Sequence, residues 1–363
     1  MSRVRTAHSR QPADRVMGRP AHLARCDAAA ARILEVQTKD GAIPWFEDGP
    51  WDPWNHAECA MALTAMGEAE AAARAFQALQ ARQSPDGSWE SEYGNALPMA
   101  DRLHIARTEA PVFRDTNFAA YCATAVWHLA ESGASRAQVA ALWPMVSAAL
   151  DFVLSLQAED GTISWSAEAA GTDADDALPA AHAAIYKSLD CGLRLARRLG
   201  EARPHWARGR AAIASALLEV PERFNRARPS AARFAMDWYY PVLSGAITGT
   251  AARDRLAADW SRFVVPGEGC LCVDNEPWVT VAETAELAMA VFALGGHDLA
   301  RRLLDRQFAR LTPSGAFWMG WQTEERIIWP EEAPTWTQAA VILALDAVEG
   351  TEPAAGVLVG DAP

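Results

Sequence analysis

Lysine is almost missing from this chain of 363 residues: Lys39 and Lys187 are the only two, and every other basic residue is arginine. With the abundant alanine, this usage reads as a GC-rich, bacterial coding bias. Positive charge is scarce as well, 33 Lys and Arg against 46 Asp and Glu, a formal net charge of −13. A phosphate backbone would be repelled by that balance unless the cations gathered on one face, so no nucleic-acid partner is expected. No run reaches the ~18 consecutive apolar residues of a membrane span. The longest, 287–294 and 339–345, stop after about two turns, and no integral membrane segment is expected. The six cysteines form no C-x-x-C pair and follow no secretory apolar stretch, which predicts reduced thiols in a cytoplasmic protein. Residues 1–20 hold arginines and almost no apolar side chains, and they are expected as a disordered basic tail, with 351–363 as a flexible one.

What is present is a globular composition, 50% hydrophobic and 22% charged, ample for a large core. Tryptophan is over-used, 15 against 5 Tyr and 11 Phe, and flat side chains in that number wedge helices together or line a pocket. The chain also repeats itself. Amphipathic stretches near 21–37, 68–83, 136–157, 205–219, 251–263 and 297–310 alternate with apolar helices near 58–66, 118–131, 178–199, 241–248, 281–294 and 338–348. Ahead of each apolar helix lies a cluster of Asp, Trp, Asn or Thr, such as Trp51-Asp-Pro-Trp54, Asp115-Thr-Asn117 and Met236-Asp-Trp-Tyr-Tyr240.

One-faced helices alternating with helices apolar all round predict an all-α chain forming a single (α/α)6 toroid over 21–350. Because the two sets alternate in direction, all six clusters must open on one rim. That mouth would collect Trp54, His56, Asn117, Asp237, Trp238, Tyr239, Tyr240, Trp278, Glu283, Glu331 and Trp336. Carboxylates and aromatics around one concavity are the ordinary material of an active site.

The turns into the clusters repeat a pattern: Gln37-Thr-Lys-Asp-Gly-Ala-Ile-Pro-Trp45, Gln83-Ser-Pro-Asp-Gly-Ser-Trp89 and Gln157-Ala-Glu-Asp-Gly-Thr-Ile-Ser-Trp165. These resemble the QW motifs of the squalene cyclase and protein prenyltransferase β-subunit superfamily, whose fold is an α/α toroid and in which Gln caps an outer helix and Trp packs over the turn. Asp173-Ala-Asp175-Asp176 has, in addition, the D-x-D-D form of class II terpene cyclases. The resemblance implies proton-initiated cyclisation of an isoprenoid, with Asp175 as proton donor, Asp173 and Asp176 holding it in the acidic form, and the aromatic residues of the mouth as the chamber wall. No cofactor is then required, magnesium entering only if the substrate is a diphosphate. A chain long enough for one ring departs from the two-ring chamber of that family, and a homodimer could supply the second wall. The zinc site of the prenyltransferases finds only Cys270-Leu-Cys272-Val-Asp274 and His297, in the wrong order, so no metal is expected.

The same groups allow a carbohydrate-active toroid. Asp237 with Glu283 or Glu331 would be the carboxylate pair that acts on a sugar while Trp and Tyr faces stack on its rings. A non-catalytic toroid binding a lipid or a protein is the third reading, with its carboxylates consumed in salt bridges. His56 and His182 have a simpler account as hydrogen-bonded core residues.

Overall fold

The computed structural model describes residues 20–95, 113–168, 176–226 and 233–359. Outer and inner helices alternate along them as the periodicity predicts: outer α1 (Asp27–Val36), inner α2 (Pro53–Ala65), outer α3 (Ala69–Ala81), inner α4 (Thr116–Glu131), outer α5 (Arg136–Ser155), inner α6 (Pro179–Leu199), outer α7 (Pro204–Glu219), inner α8 (Ala235–Leu243), outer α9 (Gly249–Phe263), inner α10 (Val281–Ala293), outer α11 (His297–Gln307) and inner α12 (Thr335–Glu349). Each inner helix packs on the next, and α12 returns to α2 to close an (α/α)6 toroid. The pattern of burial explains the sorting. In α2 the side chains from His56 to Leu63 are buried whichever way they point, whereas α11 buries only Ala300, Leu303, Leu304 and Gln307. Among the described helices α5 alone has the length and apolarity to cross a membrane; its Val139, Val146, Leu150 and Val153 are packed inside the ring.

The outer-to-inner connections meet on one rim and are stitched in sequence around it. β1 (Pro50–Trp51) pairs antiparallel with β2 (Tyr93–Gly94), Asp115 bridges Ser166, Ala177 bridges Phe224, and Phe234 bridges Val273. In the connection into α10, β3 (Val264–Val265) pairs with β4 (Gly269–Cys270), and β5 (Trp278–Thr280) then pairs with β6 (Gly320–Gln322), itself paired with β7 (Ile327–Ile328). Thr335 N–H donates to Trp45 O at 3.1 Å and completes the circle.

Two features depart from expectation. The fourth inner helix begins at Ala235, ahead of Pro241, so Asp237, Trp238, Tyr239 and Tyr240 lie within a helix and point to its different sides. Proline there removes a hydrogen bond to the carbonyl four residues earlier. Arg255 fills the gap, donating to Asp237 O at 2.7 Å and to Trp238 O at 2.8 Å. The second departure lies after 350. Where a loose tail was expected, Gly356–Val359 form a short helix, α13, with Val357, Leu358 and Val359 buried against α4, α10 and α12.

Candidate active site

The three glutamines of the repeated turns act as stitches between outer helices. Gln37 Nε2 donates to Gly41 O of its own turn and to Ala71 O of α3, Gln83 to Gly87 O and Met145 O of α5, and Gln157 to Gly161 O and Gly209 O of α7. Four inner helices hold the connection from an outer helix by their fourth residue, two of them at the Gln37 and Gln157 turns. His56, His182, Thr284 and Gln338 accept the backbone N–H of Ile43, Ile163, Cys270 and Phe317 at 2.8–3.1 Å. His56 is therefore a clamp and not a substrate ligand: its second nitrogen meets Ala75 O at 2.8 Å, and burial pushes its pKa down to about 4, leaving the ring neutral.

This scaffold holds open a cavity of about 540 Å³ at the mouth, between the N-termini of α2, α4, α6 and α8. Trp54, Phe118, Trp165, Phe234 and Met236 give it apolar walls, and Asn55, Asn117, Arg233, Asp115 and Asp237 its polar groups. Trp165, assigned by its motif to turn packing, faces this cavity instead. Trp54 is fixed by stacking on Tyr121 (centroids 4.5 Å apart, planes at 10°) and by donating to Glu58 Oε1 at 2.8 Å.

The two carboxylates are held differently. Asp115 is the N-cap of α4 and accepts the N–H groups of Asn117 at 2.9 Å and Phe118 at 3.1 Å. Burial outweighs those bonds and pushes its carboxyl up to about 7, so at neutral pH a large fraction carries a transferable proton. Asp237, from α8, reaches across to α6, whose own N-cap supplies no side chain. It accepts Ala180 N–H at 3.0 Å and Asn225 Nδ2 at 2.8 Å. Burial raises its carboxyl too, opposed by both hydrogen bonds and by the Arg255 guanidinium. A proton donor and a hydrogen-bonded acid facing one polar, aromatic-walled cavity are the parts of general acid–base chemistry.

Of the expected site residues, Trp54, Asn117 and Asp237 line this cavity. The others do not. Trp238 turns outward, stacked on Phe263 and donating to Arg255 O. Tyr239 is buried against Glu286, to which its hydroxyl donates, and Tyr240 sits beside Glu58 and Tyr121 in the ring's interior. Trp336 packs edge-on to Trp45 and Phe46. Trp278 lies further along the rim against Trp329. Glu331 lines a separate depression with Arg32, Glu35 and Glu47, and Glu283 bonds the Cys272 thiol, so neither is placed as the partner of Asp237. The carboxylate that shares the cavity with Asp237 is Asp115. Asp176 is buried, accepting Arg226 N–H at 2.8 Å; Asp173 and Asp175 lie outside the described residues. Among the described residues no cluster of His, Cys, Asp and Glu is arranged to hold a metal ion.

Below Trp54 the axis of the ring is filled by Glu58, Tyr121, Tyr240, Glu286 and Lys187, leaving a void of about 10 Å³, space for a water. Asp115 was legible as part of the cluster that opens an inner helix, but that it shares a cavity with Asp237 depends on ring closure.

No known family profile matches the chain. It is 41% identical over 357 residues, 97% of its length and 94% of the other's, to the MMP endo-(1,4)-3-O-methyl-alpha-D-mannosidase of Mycolicibacterium hassiacum. Among solved structures it resembles a wild-type glycosidase (TM-score 0.62, 16% identity, covering 92% of this chain and 99% of that one). It also resembles the GH63 mannosylglycerate hydrolase of Thermus thermophilus in complex with glucose (TM-score 0.63, 14% identity, 87% and 98% covered). The two structural likenesses speak for the toroid fold alone. The terpene cyclase resemblance is thereby corrected: the Gln-Gly-Trp turns are stitches of an α/α ring, and the proton-initiated cyclisation of an isoprenoid drawn from Asp173-Ala-Asp175-Asp176, with its isomerase or lyase activity, falls. By its identity to the M. hassiacum mannosidase along nearly the whole of both sequences, this chain belongs to that enzyme's family and is a hydrolase of the glycosidase class.

Proposed function

We propose that the chain hydrolyses α-(1,4) bonds between 3-O-methylated mannose units within a longer chain, the bond named for its relative. Asp115 gives a proton to the glycosidic oxygen as the C1–O bond breaks. Asp237, ionised, takes a proton from the water that adds to C1. Trp54 and Trp165 stack on the sugar faces, while Asn55, Asn117 and Arg233 hydrogen-bond its oxygens. The observation that carries the reading is the 41% identity over 97% of the chain, and the two carboxylates on one aromatic-walled cavity supply chemistry to match it.

The test is incubation of the purified protein with 3-O-methylmannose oligosaccharides and with their unmethylated counterparts, products being read by mass spectrometry. Shortened methylated chains are expected, with losses of roughly a hundredfold or more in kcat for Asp115→Asn and for Asp237→Asn. Full activity in either variant removes that residue from the mechanism. No cleavage of any α-(1,4)-mannoside by the unaltered protein overturns the substrate assignment.

A further inference from the structure

We propose that the β5–β6–β7 sheet carries an outer sugar subsite, an aromatic platform of Trp278 and Trp329 that holds neutral, weakly polar sugar units of the substrate chain beyond the catalytic cavity. This rests on the glycosidase reading and extends it along the rim.

The backbone leads from one place to the other. Phe234 lines the cavity and bridges Val273. The 271–273 segment is in turn the neighbour of β5, through the Leu271–Val279 bridge and a Cys272 N–H to Trp278 O bond of 3.1 Å. Two strand spacings put Trp278 roughly 10 Å from Phe234. Trp329 follows, its ring 5.4 Å from that of Trp278 and at 75° to it. Both tryptophans belong to connections into inner helices, and therefore to the mouth side of the ring.

The pair is built and held open to solvent. Trp278 Nε1 donates to Trp329 O at 2.6 Å. Its indole also lies against Gly320, where a Cβ would come within 2.3 Å of Nε1, so no other residue could sit there without moving it. Trp329 is nevertheless 42% exposed. Of the most exposed large apolar side chains, Phe234 (39%), Ile327 (49%) and Trp329 share this stretch of rim, a concentration that marks a binding surface. With the Trp278 N–H already spent, that indole offers apolar surface, which suits the C–H face of a pyranose or a methyl ether. Exposed Glu324 and Glu325 on the β6–β7 turn, against Arg326 alone, and the net charge of −13 exclude a polyanionic occupant. A substrate cut within its length must extend past the cavity, and this platform lies on the way.

The experiment compares kcat/KM on methylated mannose oligomers of increasing length for the unaltered protein, Trp329→Ala, and Leu218→Ala, a control at an exposed leucine of outer helix α7, outside the β5–β6–β7 sheet and the cavity lining. The unaltered protein and the control should gain in kcat/KM with length. Trp329→Ala should lose that gain, by roughly tenfold on the longest oligomer. An equal dependence on length in all three overturns the subsite, and so does a uniform loss at every length. Light scattering in solution covers the rival occupant: a dimer that dissociates on Trp329→Ala makes the platform a contact between copies and sinks the proposal. Calorimetric titration of long and short oligomers into Asp115→Asn protein, with and without Trp329→Ala, reads the subsite without turnover. If no oligomer is cleaved but the long ones bind through Trp329, the activity is misassigned and the subsite stands; cleavage without that binding difference has the opposite meaning.

Discussion

Asp115 is an N-cap and an acid at once, and the two roles pull its protonation in opposite directions. The helix N-terminus favours the carboxylate, while burial raises its pKa from 3.8 to about 7. The folded state therefore binds more protons than the unfolded one between those values, and this group costs stability progressively as pH rises from about 4 to about 7. Asparagine caps a helix about as well and cannot ionise. Melting temperatures of Asp115→Asn and the unaltered protein should lie close together at pH 4, with the variant gaining as pH rises to 8. A difference that stays flat with pH would mean that the carboxyl is not raised. With Asp115 as the proposed proton donor, activity should fall as pH climbs through about 7, where that carboxyl loses its proton. Glu58, also pushed up to about 7 by burial, serves one layer deeper by accepting from Trp54 and from the Tyr121 hydroxyl at 3.1 Å. Glu58→Gln keeps an acceptor for both, whereas Glu58→Leu strands the buried Trp54 N–H at about 1–3 kcal/mol and leaves the Tyr121 hydroxyl only Tyr240. Thermal melts and KM should separate these variants, leucine lowering the melting temperature and raising KM through a loosened Trp54. Nothing in the sequence marked Glu58, which reads as one more polar residue at the opening of a helix; its meaning comes from Tyr121, 63 positions away.

Among the elements, the repeated turn decides the ring. Gly41, Gly87 and Gly161 each hold a positive φ and face the next outer helix so closely that a Cβ would lie 2.2–2.4 Å from the carbonyl oxygen of Arg74, Ala148 or Ala212. Alanine at Gly87 meets both the conformational penalty and the clash, and should cost more than about 1 kcal/mol, measurable as a lower denaturation midpoint. The equivalence of His56, His182 and Gln338 makes a second prediction: His182→Gln should be tolerated better than His182→Leu, because the amide can still accept Ile163 N–H. These local devices are why the fold was legible. Turn, cap and apolar helix recur in sequence order, and ring topology follows from their alternation. The site was much less so, because Asp237 and Tyr240 are separated by one helical turn yet face different cavities, and Pro241 gave a misleading helix start. Trp238 was taken for wall and packs on α9 for the same reason: the phase of a helix cannot be read until its first residue is known.

At the scale of the whole molecule the described residues close the toroid at the end away from the cavity, and the closure comes from the segment that follows α12. There the backbone turns back under the ring, and Val357, Leu358 and Val359 are buried against α4, α10 and α12. Leu358 forms part of the wall of the small axial void, and Lys187 Nζ donates to Val357 O at 3.2 Å. Lys187 is one of only two lysines in the sequence, and it is buried on α6 beside the void that Glu58, Glu286 and Leu358 also line, where losing an oxygen partner is costly to an ammonium. Removing residues 353–363 would take the Val357 carbonyl from Lys187 and three buried aliphatic side chains from the faces of α4, α10 and α12 they cover, each such side chain worth roughly 1.5–3 kcal/mol when buried. Set against a total stability of about 5–15 kcal/mol, that is a large share, so the truncated chain should melt roughly 10 °C lower or more, if it folds at all. The mouth and its cavity lie at the opposite end, and α13 contributes nothing to the cavity's lining. Well below its melting point the truncated enzyme should therefore keep the KM of the full chain, and its loss should be one of survival on heating. A raised KM at low temperature would show instead that the far end transmits to the mouth, through Tyr240, Glu58 and Trp54, the side chains that join the void to the cavity floor.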